Sequence, residues 1–214
     1  MTDTDATAAA NAESPRTTEG FRRLLAFCDA VVAIALTLLV LPLTDAAGDA
    51  DDTTAWAFIE HHSALLTSVL ISFAVIAGFW WHHHQMAEYF AAYDGVVVVL
   101  NLVWLLMIVM LPFTTELGSS RPVTGANVLY LVVLTIAAAA MSAMYAWARR
   151  HPALLVEGAP RAEFLAARGG WLTVVVMAVA LVVTAIWPSS GSWPLLLLLA
   201  IGPLERLVSA RASQ

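Results

Sequence analysis

A carboxylate inside an apolar helix is the first feature of this chain that could do chemistry. Residues 21–42 read FRRLLAFCDAVVAIALTLLVLP, about the length of apolar sequence that crosses a membrane at roughly 1.5 Å of rise per residue. Arg22 and Arg23 stand at its start, where long side chains reach the membrane surface. Asp29 lies about seven residues further in, roughly 10 Å deeper. Such a group normally faces the interior of a bundle, so this helix is expected to be an inner one.

Further polar groups are expected at the depth of Asp29. The second apolar run ends in Trp80, Trp81 and the triplet His82–His84, and the third carries Asn101. Two interpretations stay open. One is a structural clasp of the first three helices, in which Arg23, an imidazole or the Asn101 amide satisfies Asp29. The other is a proton channel or proton-coupled transporter that uses Asp29 and His82–His84.

The histidines are a poor match to a metal site. Consecutive helical residues point about 100° apart, so three neighbours do not converge on one ion. The triplet lacks the i,i+4 spacing of a helical two-histidine site, and His61 and His62 are predicted at the opposite membrane face. We therefore expect no metal, no other cofactor and no enzyme activity.

Composition places the chain in a membrane. Of 214 residues, 60% are hydrophobic and 12% charged, against roughly 25% charged in soluble domains. Residues 1–20 are polar and acidic, predicting a disordered cytoplasmic tail; 21–208 predict one six-helix transmembrane domain, and 209–214 a short cytoplasmic tail. The ten basic residues, all arginines, stand at the ends of apolar runs and give no reason to expect nucleic acid. The six predicted spans cover residues 21–42, 64–81, 95–113, 127–147, 171–187 and 193–208.

The arginines also predict the orientation. With six spans, all but Arg121 fall on one side, so both termini are expected in the cytoplasm of a multi-pass plasma-membrane protein. An acidic loop is expected at 44–54, and Pro112 is expected to stop the third helix.

The outer half of the first helix carries an apolar stripe. Ile34, Leu38 and Leu41 fall on one helical face, with Thr37 beside them as the only hydroxyl. From spacing alone this stripe indicates ordinary packing.

The residues Arg23, Phe27, Cys28 and Asp29, followed by AVVAIALTLLVLPL, resemble the Arg-x-x-x-Phe-Ser-Asp signature of a potassium-channel family. That family comprises the endosomal and lysosomal channel, transmembrane protein 175, and its prokaryotic homologues. The resemblance continues through ISFAVIAGFWWHHH (71–84) and LNLVWLLMIVMLPF (100–113). Cys28 departs from it, because the family usually has Ser there.

This resemblance implies a homotetramer in the lipid bilayer, with six helices per chain around a pore lined by the first helix. It implies a permeant potassium ion, and other monovalent cations besides. The constriction would be formed by Ile34, Leu38 and Leu41, with Thr37 contributing to selectivity. The network that holds the pore helix would comprise Arg23, Phe27, Cys28, Asp29, Trp80, His83 and Asn101.

Overall fold

The described part of the chain is almost entirely helical. The computed structural model describes residues 18–48, 50, 54–119, 123–166 and 171–186. Its elements are α1 (Thr18–Leu38), α2 (Leu41–Gly48), α3 (Ala55–His61), α4 (Ser63–Ala87), α5 (Gly95–Ser119), α6 (Ala126–Arg150), a 3₁₀ turn (Pro152–Leu154), α7 (Ala159–Ala166) and α8 (Trp171–Ile186).

Within the described residues, four segments are long and apolar enough to cross a membrane. They are Glu19–Gly48, which joins α1 and α2, and the 25-residue helices α4, α5 and α6. A shorter apolar helix, Thr173–Ile186, lies in the predicted fifth span. The expected all-helical membrane fold is therefore confirmed over four spans. The predicted sixth span, 193–208, the tail 209–214 and residues 1–17 of the N-terminal tail lie outside the described residues.

The first span differs from its predicted boundaries at both ends. Its helix begins at Thr18 rather than Phe21, and helical structure continues to Gly48 where an acidic loop was expected from residue 44. Between them the helix is interrupted by a turn at Leu39 and Val40. Pro42 explains that interruption, because its ring cannot donate to the Leu38 carbonyl four residues back and clashes with it.

Pro112 does not stop its helix, contrary to the expectation from sequence. α5 continues through it to Ser119. In a membrane helix the carbonyls freed by a proline can be satisfied locally, so the helix tolerates the residue. Two and three residues after Pro112, Thr114 and Thr115 both donate their hydroxyls to the carbonyl of Leu111, at 3.0 and 2.8 Å.

α5 is the centre of the described bundle. It packs against α1, α4 and α6, and α6 in turn packs against α8. The side chains of α5 that are fully buried include Trp104, Ile108 and Leu111. Because α5 contacts both α1 and α4, it positions the polar groups of all three helices against one another.

The end of the bundle at which α1 begins, called here the N-terminal end, is closed by aromatic and backbone contacts. Phe21 of α1 stacks on Phe90, with ring centroids 5.5 Å apart. Phe90 in turn pairs antiparallel with Leu155 in an isolated β-bridge. Asp94 caps α5 by accepting from the Val97 amide at 2.9 Å. The start of α1 is thus tied to the connections on either side of α5 and α6.

Candidate pore helix and its polar network

One face of α1 is covered by its own chain. Cys28, Val32, Ala35 and Leu39 are buried at spacings of four, three and four residues, all with 2% exposure or less. Small side chains dominate this face, which lets α1 approach its neighbours closely, as membrane helices require.

The opposite face of α1 is uncovered and carries large apolar side chains. Phe27, Ile34 and Leu38 are 52%, 58% and 44% exposed, and Leu41 in the first turn of α2 is 55% exposed. At about 100° per residue, this uncovered face lies roughly 120° around the helix from the covered one. All three residues expected at the constriction, Ile34, Leu38 and Leu41, therefore lie where the described chain does not pack on them.

Thr37 lies on the same uncovered face. Its hydroxyl donates to the Ile34 carbonyl at 2.7 Å, and its side chain is exposed. Because the hydrogen is used within the helix, the oxygen presents lone pairs outwards. The uncovered face thus offers a hydrogen-bond acceptor among apolar side chains.

A buried polar network lies behind the covered face. The Asn101 amide oxygen accepts from His83 Nε2 at 2.7 Å and from the Cys28 thiol at 3.8 Å. His83 also stacks on Trp104, with ring centroids 4.1 Å apart and planes 9° from parallel. Since the amide oxygen only accepts, the His83 proton lies on Nε2. These contacts join α1, α4 and α5 through one amide oxygen.

Asp29 is held by a different partner from those expected. Its Oδ1 accepts from Trp80 Nε1 at 2.8 Å, across the contact between α1 and α4. Among the described residues Arg23 makes no ion pair, and its side chain is exposed. Asp29 is only half-buried, so the described chain does not enclose this carboxylate. Within the described chain the partner is therefore Trp80, which was expected in the network, rather than Arg23, an imidazole or Asn101.

The three histidines have separate environments. His82 is exposed and its Nδ1 bonds to the Gly78 carbonyl at 2.9 Å, whereas His83 is buried in the network. His84 stacks on Trp80 with centroids 5.5 Å apart and lies 3.8 Å from a Glu88 carboxylate oxygen. In the part of the chain that the structure describes, no group of three or more metal-ligating side chains comes together.

Three features of the site were not anticipated from sequence. The Trp104 ring stacks on the His83 imidazole. This contact could have been predicted, because Trp104 follows Asn101 by three residues and so lies near it on the same helix. Trp147 was predicted only as a residue of the membrane interface. Its Nε1 donates to Asp94 at 2.8 Å and so forms a second tryptophan–carboxylate pair. Ser72, Thr115 and Tyr130 form a hydroxyl cluster between α4, α5 and α6, and no spacing in the sequence links them.

Apolar helices of membrane-crossing length, joined by a polar network behind the first of them, define a multi-pass membrane protein. Residues 23–112 match the family model of the endosomal/lysosomal potassium channel TMEM175. The match begins at Arg23, ends at Pro112, and includes every residue of the polar network and the whole uncovered face.

Two solved structures share the fold. A lysosomal potassium-selective channel TMEM175 homologue from Chamaesiphon minutus aligns with a TM-score of 0.64 at 20% identity, over 92% of this chain and 100% of that chain. A threonine-to-alanine variant of the potassium channel MtTMEM175, solved with a nanobody–MBP fusion protein, aligns with a TM-score of 0.59 at 20% identity, over 89% and 93%. No curated protein matches the chain. The family match covers residues 23–112, and the two solved structures, at 20% identity, share the fold and are each described as a potassium channel.

Proposed function

We propose that this chain is a potassium-permeable cation channel whose pore is lined by the uncovered face of α1. Four chains would assemble around a central axis in the plasma membrane, with six helices each and both termini in the cytoplasm. The observation that carries the proposal is the row of large, uncovered apolar side chains on α1, within the segment that matches the potassium-channel family.

Ile34, Leu38 and Leu41 would form the constriction of this pore. Rings of four such side chains can close to a dry plug, and a dry gap stops a hydrated ion because removing its water is costly. A small outward movement of the helices admits water and then the ion. The turn at Leu39 and Val40 separates Leu41 from the other two rings, so Leu41 can move with α2 while Ile34 and Leu38 move with α1.

Thr37 would contribute to selectivity. Its outward lone pairs have the polarity that attracts a cation, and they stand between the Ile34 and Leu38 rings. Four such oxygens can replace part of the water that a potassium ion loses as it passes an apolar ring.

The polar network would hold the rotation of α1. Cys28 and Asp29 are consecutive, and they bond to α5 and α4 respectively. Two anchors on different helices set the direction in which the uncovered face points. Cys28, at the family's usual serine position, is a weaker hydrogen-bond donor than a hydroxyl. Arg23 and Phe27, exposed in the described chain, are available to contact a neighbouring subunit.

A proton pathway through Asp29 and His82–His84 has less support. The contact between Asp29 and this region runs through the Trp80 indole, which donates a hydrogen bond but has no lone pair to accept a proton. His83 is enclosed between Asn101 and the Trp104 ring. These contacts fit a clasp better than a relay.

Flux of potassium into liposomes that contain the purified protein tests the proposal. We expect potassium influx down its gradient, with sodium and proton fluxes measured in parallel. Ile34→Asn and Leu38→Ala should each raise potassium leak, because they make the constriction wetter or wider. Val99→Ala, on a 60% exposed site of α5, is the matched control and should leave flux unchanged.

Proton flux without potassium flux would overturn the channel and restore the relay. Native mass spectrometry of the same protein tests the assembly separately. Four chains per particle is the expected result, and a monomer that still conducts would contradict the central pore.

A further inference from the structure

A polar cavity lies away from the proposed pore, between α4, α5 and α6. Its volume is about 70 Å³, room for a few water-sized particles. No side chain of α1 lines it. The lining residues are Ser68, Ile71, Ser72, Thr114, Thr115, Gly118, Asn127 and Tyr130.

The hydroxyl hydrogens around this cavity are already committed. Ser68 donates to the Ala64 carbonyl at 3.0 Å, and Thr114 and Thr115 donate to the Leu111 carbonyl. With the Thr115 hydrogen on the Leu111 carbonyl, Thr115 accepts from Ser72 in their 2.8 Å contact. Ser72 in turn must accept in its 3.4 Å contact with the Tyr130 hydroxyl.

The direction of these bonds gives the cavity a defined polarity. The Tyr130 hydroxyl donates to Ser72, Ser72 donates to Thr115, and Thr115 donates to a backbone carbonyl. Five hydroxyl oxygens are thereby left with lone pairs and no hydrogens to offer. A cavity wall of this kind attracts a positive centre. A water molecule can donate to these oxygens, but none of the five hydroxyls can donate to it, which leaves the Asn127 amide as the lining side chain with N–H donors.

We infer that this cavity is a binding site for a monovalent cation within each subunit, separate from the pore. Hard cations bind neutral and anionic oxygen ligands, and the described lining residues supply hydroxyls together with the Asn127 amide, with no carboxylate among them. Neutral oxygens compensate the charge of a monovalent cation incompletely. They compensate the charge of a divalent cation still less. The ligand class is therefore an alkali cation that keeps part of its water, bound weakly.

The bound ion would stabilise the contact of three helices. Thr114 and Thr115 belong to α5, Ser72 to α4 and Tyr130 to α6, and all four side chains are buried. An ion shared by oxygens from three helices holds them together and raises the stability of the folded state as the ion concentration rises above the dissociation constant. This site does not depend on the proposed pore, because no pore residue contributes to it.

Thallium, a heavy monovalent cation that replaces potassium, can locate the site directly. Crystals of the full chain grown in a thallium salt should show anomalous density in the cavity, within bonding distance of the Thr115 and Tyr130 oxygens. Cavity density that proves to be water alone overturns the inference. Thallium density on the central axis tests the proposed channel independently. Failure of the cavity site can therefore be distinguished from failure of the channel.

Two conservative variants extend the test to solution. In Tyr130→Phe and Thr114→Val, the melting-temperature gain from potassium over N-methylglucamine at equal ionic strength should fall to half or less of the wild-type gain. Thr135→Val is the control, because Thr135 donates to the Leu131 carbonyl on α6 at 2.7 Å without lining the cavity. An unchanged gain in both cavity variants, or an equal loss in the control, contradicts the site.

Discussion

The two faces of α1 share an apolar character and differ in what covers them. Cys28, Val32 and Ala35 on the covered face are small, and they allow close contact with α4 and α5. Phe27, Ile34 and Leu38 on the uncovered face are large and have no cover from the described chain. The difference teaches that hydrophobicity alone does not separate packing from an outward role on this helix, because both faces are apolar and only one is covered.

The polar network sharpens this difference, because it lies behind the covered face alone. Asn101 and Trp80 bond to Cys28 and Asp29, which lie next to each other at the edge of that face. Rotating α1 to bring Ile34 inside would break both bonds. The network therefore fixes the direction in which the uncovered face of α1 points, and it also contributes to stability.

The largest effect is expected from enlarging a side chain on the covered face. Ala35 is 1% exposed, so Ala35→Leu should cost about 1–3 kcal/mol through overpacking. Ala30→Leu, on the exposed side of the same helix, is the matched control and should cost little. Thermal unfolding in detergent measures both. Equal losses would mean that the two faces are equally covered.

A smaller loss is expected from Asn101→Leu, which keeps the volume and removes the amide oxygen. His83 Nε2 and the Cys28 thiol would then lose their acceptor, at a cost of about 1–2 kcal/mol for two interhelical hydrogen bonds. Gln85→Leu, an exposed amide on α4, is the control for added hydrophobicity. A stability of Asn101→Leu equal to that of wild type would remove the network from the account of how α1 is held.

The smallest effect is expected from Trp80→Phe, which removes the donor to Asp29 and keeps an aromatic ring. Interhelical hydrogen bonds in membranes contribute about 0.6 kcal/mol on average, so the unfolding free energy should fall by about that amount. Trp81→Phe is the control, since Trp81 is 51% exposed. If Trp81→Phe costs as much as Trp80→Phe, the Asp29 contact contributes nothing of its own.

Part of this fold and site could be predicted because membrane helices leave a strong signal. Long apolar runs marked four spans, and depth along those runs brought Asp29, His83 and Asn101 to one level. The partner of Asp29 could not be predicted, since Arg23, a histidine, Asn101 and Trp80 all stand within reach of that level. Only the rotation of each helix decides among them, and rotation depends on packing.

The effects of the prolines show a second limit. Pro42 interrupts its helix at Leu39 and Val40, whereas Pro112 lies inside a continuous one. Both remove the same backbone donor, so the outcome is set by the surroundings rather than by the residue. The hydroxyl cluster of Ser72, Thr115 and Tyr130 shows the same limit, because its members come from three helices and share no local pattern.

Cysteine accessibility during potassium flux tests most directly whether the uncovered face of α1 lines the pore. Cys28 is the only cysteine of the chain, so Cys28→Ser gives a background without thiols. Single cysteines would replace Ile34, Leu38, Ala35 and Val99 in turn, and a cationic thiol reagent would be added to liposomes that conduct potassium.

Ile34→Cys and Leu38→Cys should lose most of their potassium flux when the reagent is added. Ala35→Cys, on the covered face, and Val99→Cys, exposed on α5, should keep theirs. Block at Ala35→Cys or Val99→Cys, with none at Ile34→Cys and Leu38→Cys, would contradict the pore assignment and place the large apolar side chains of α1 against lipid.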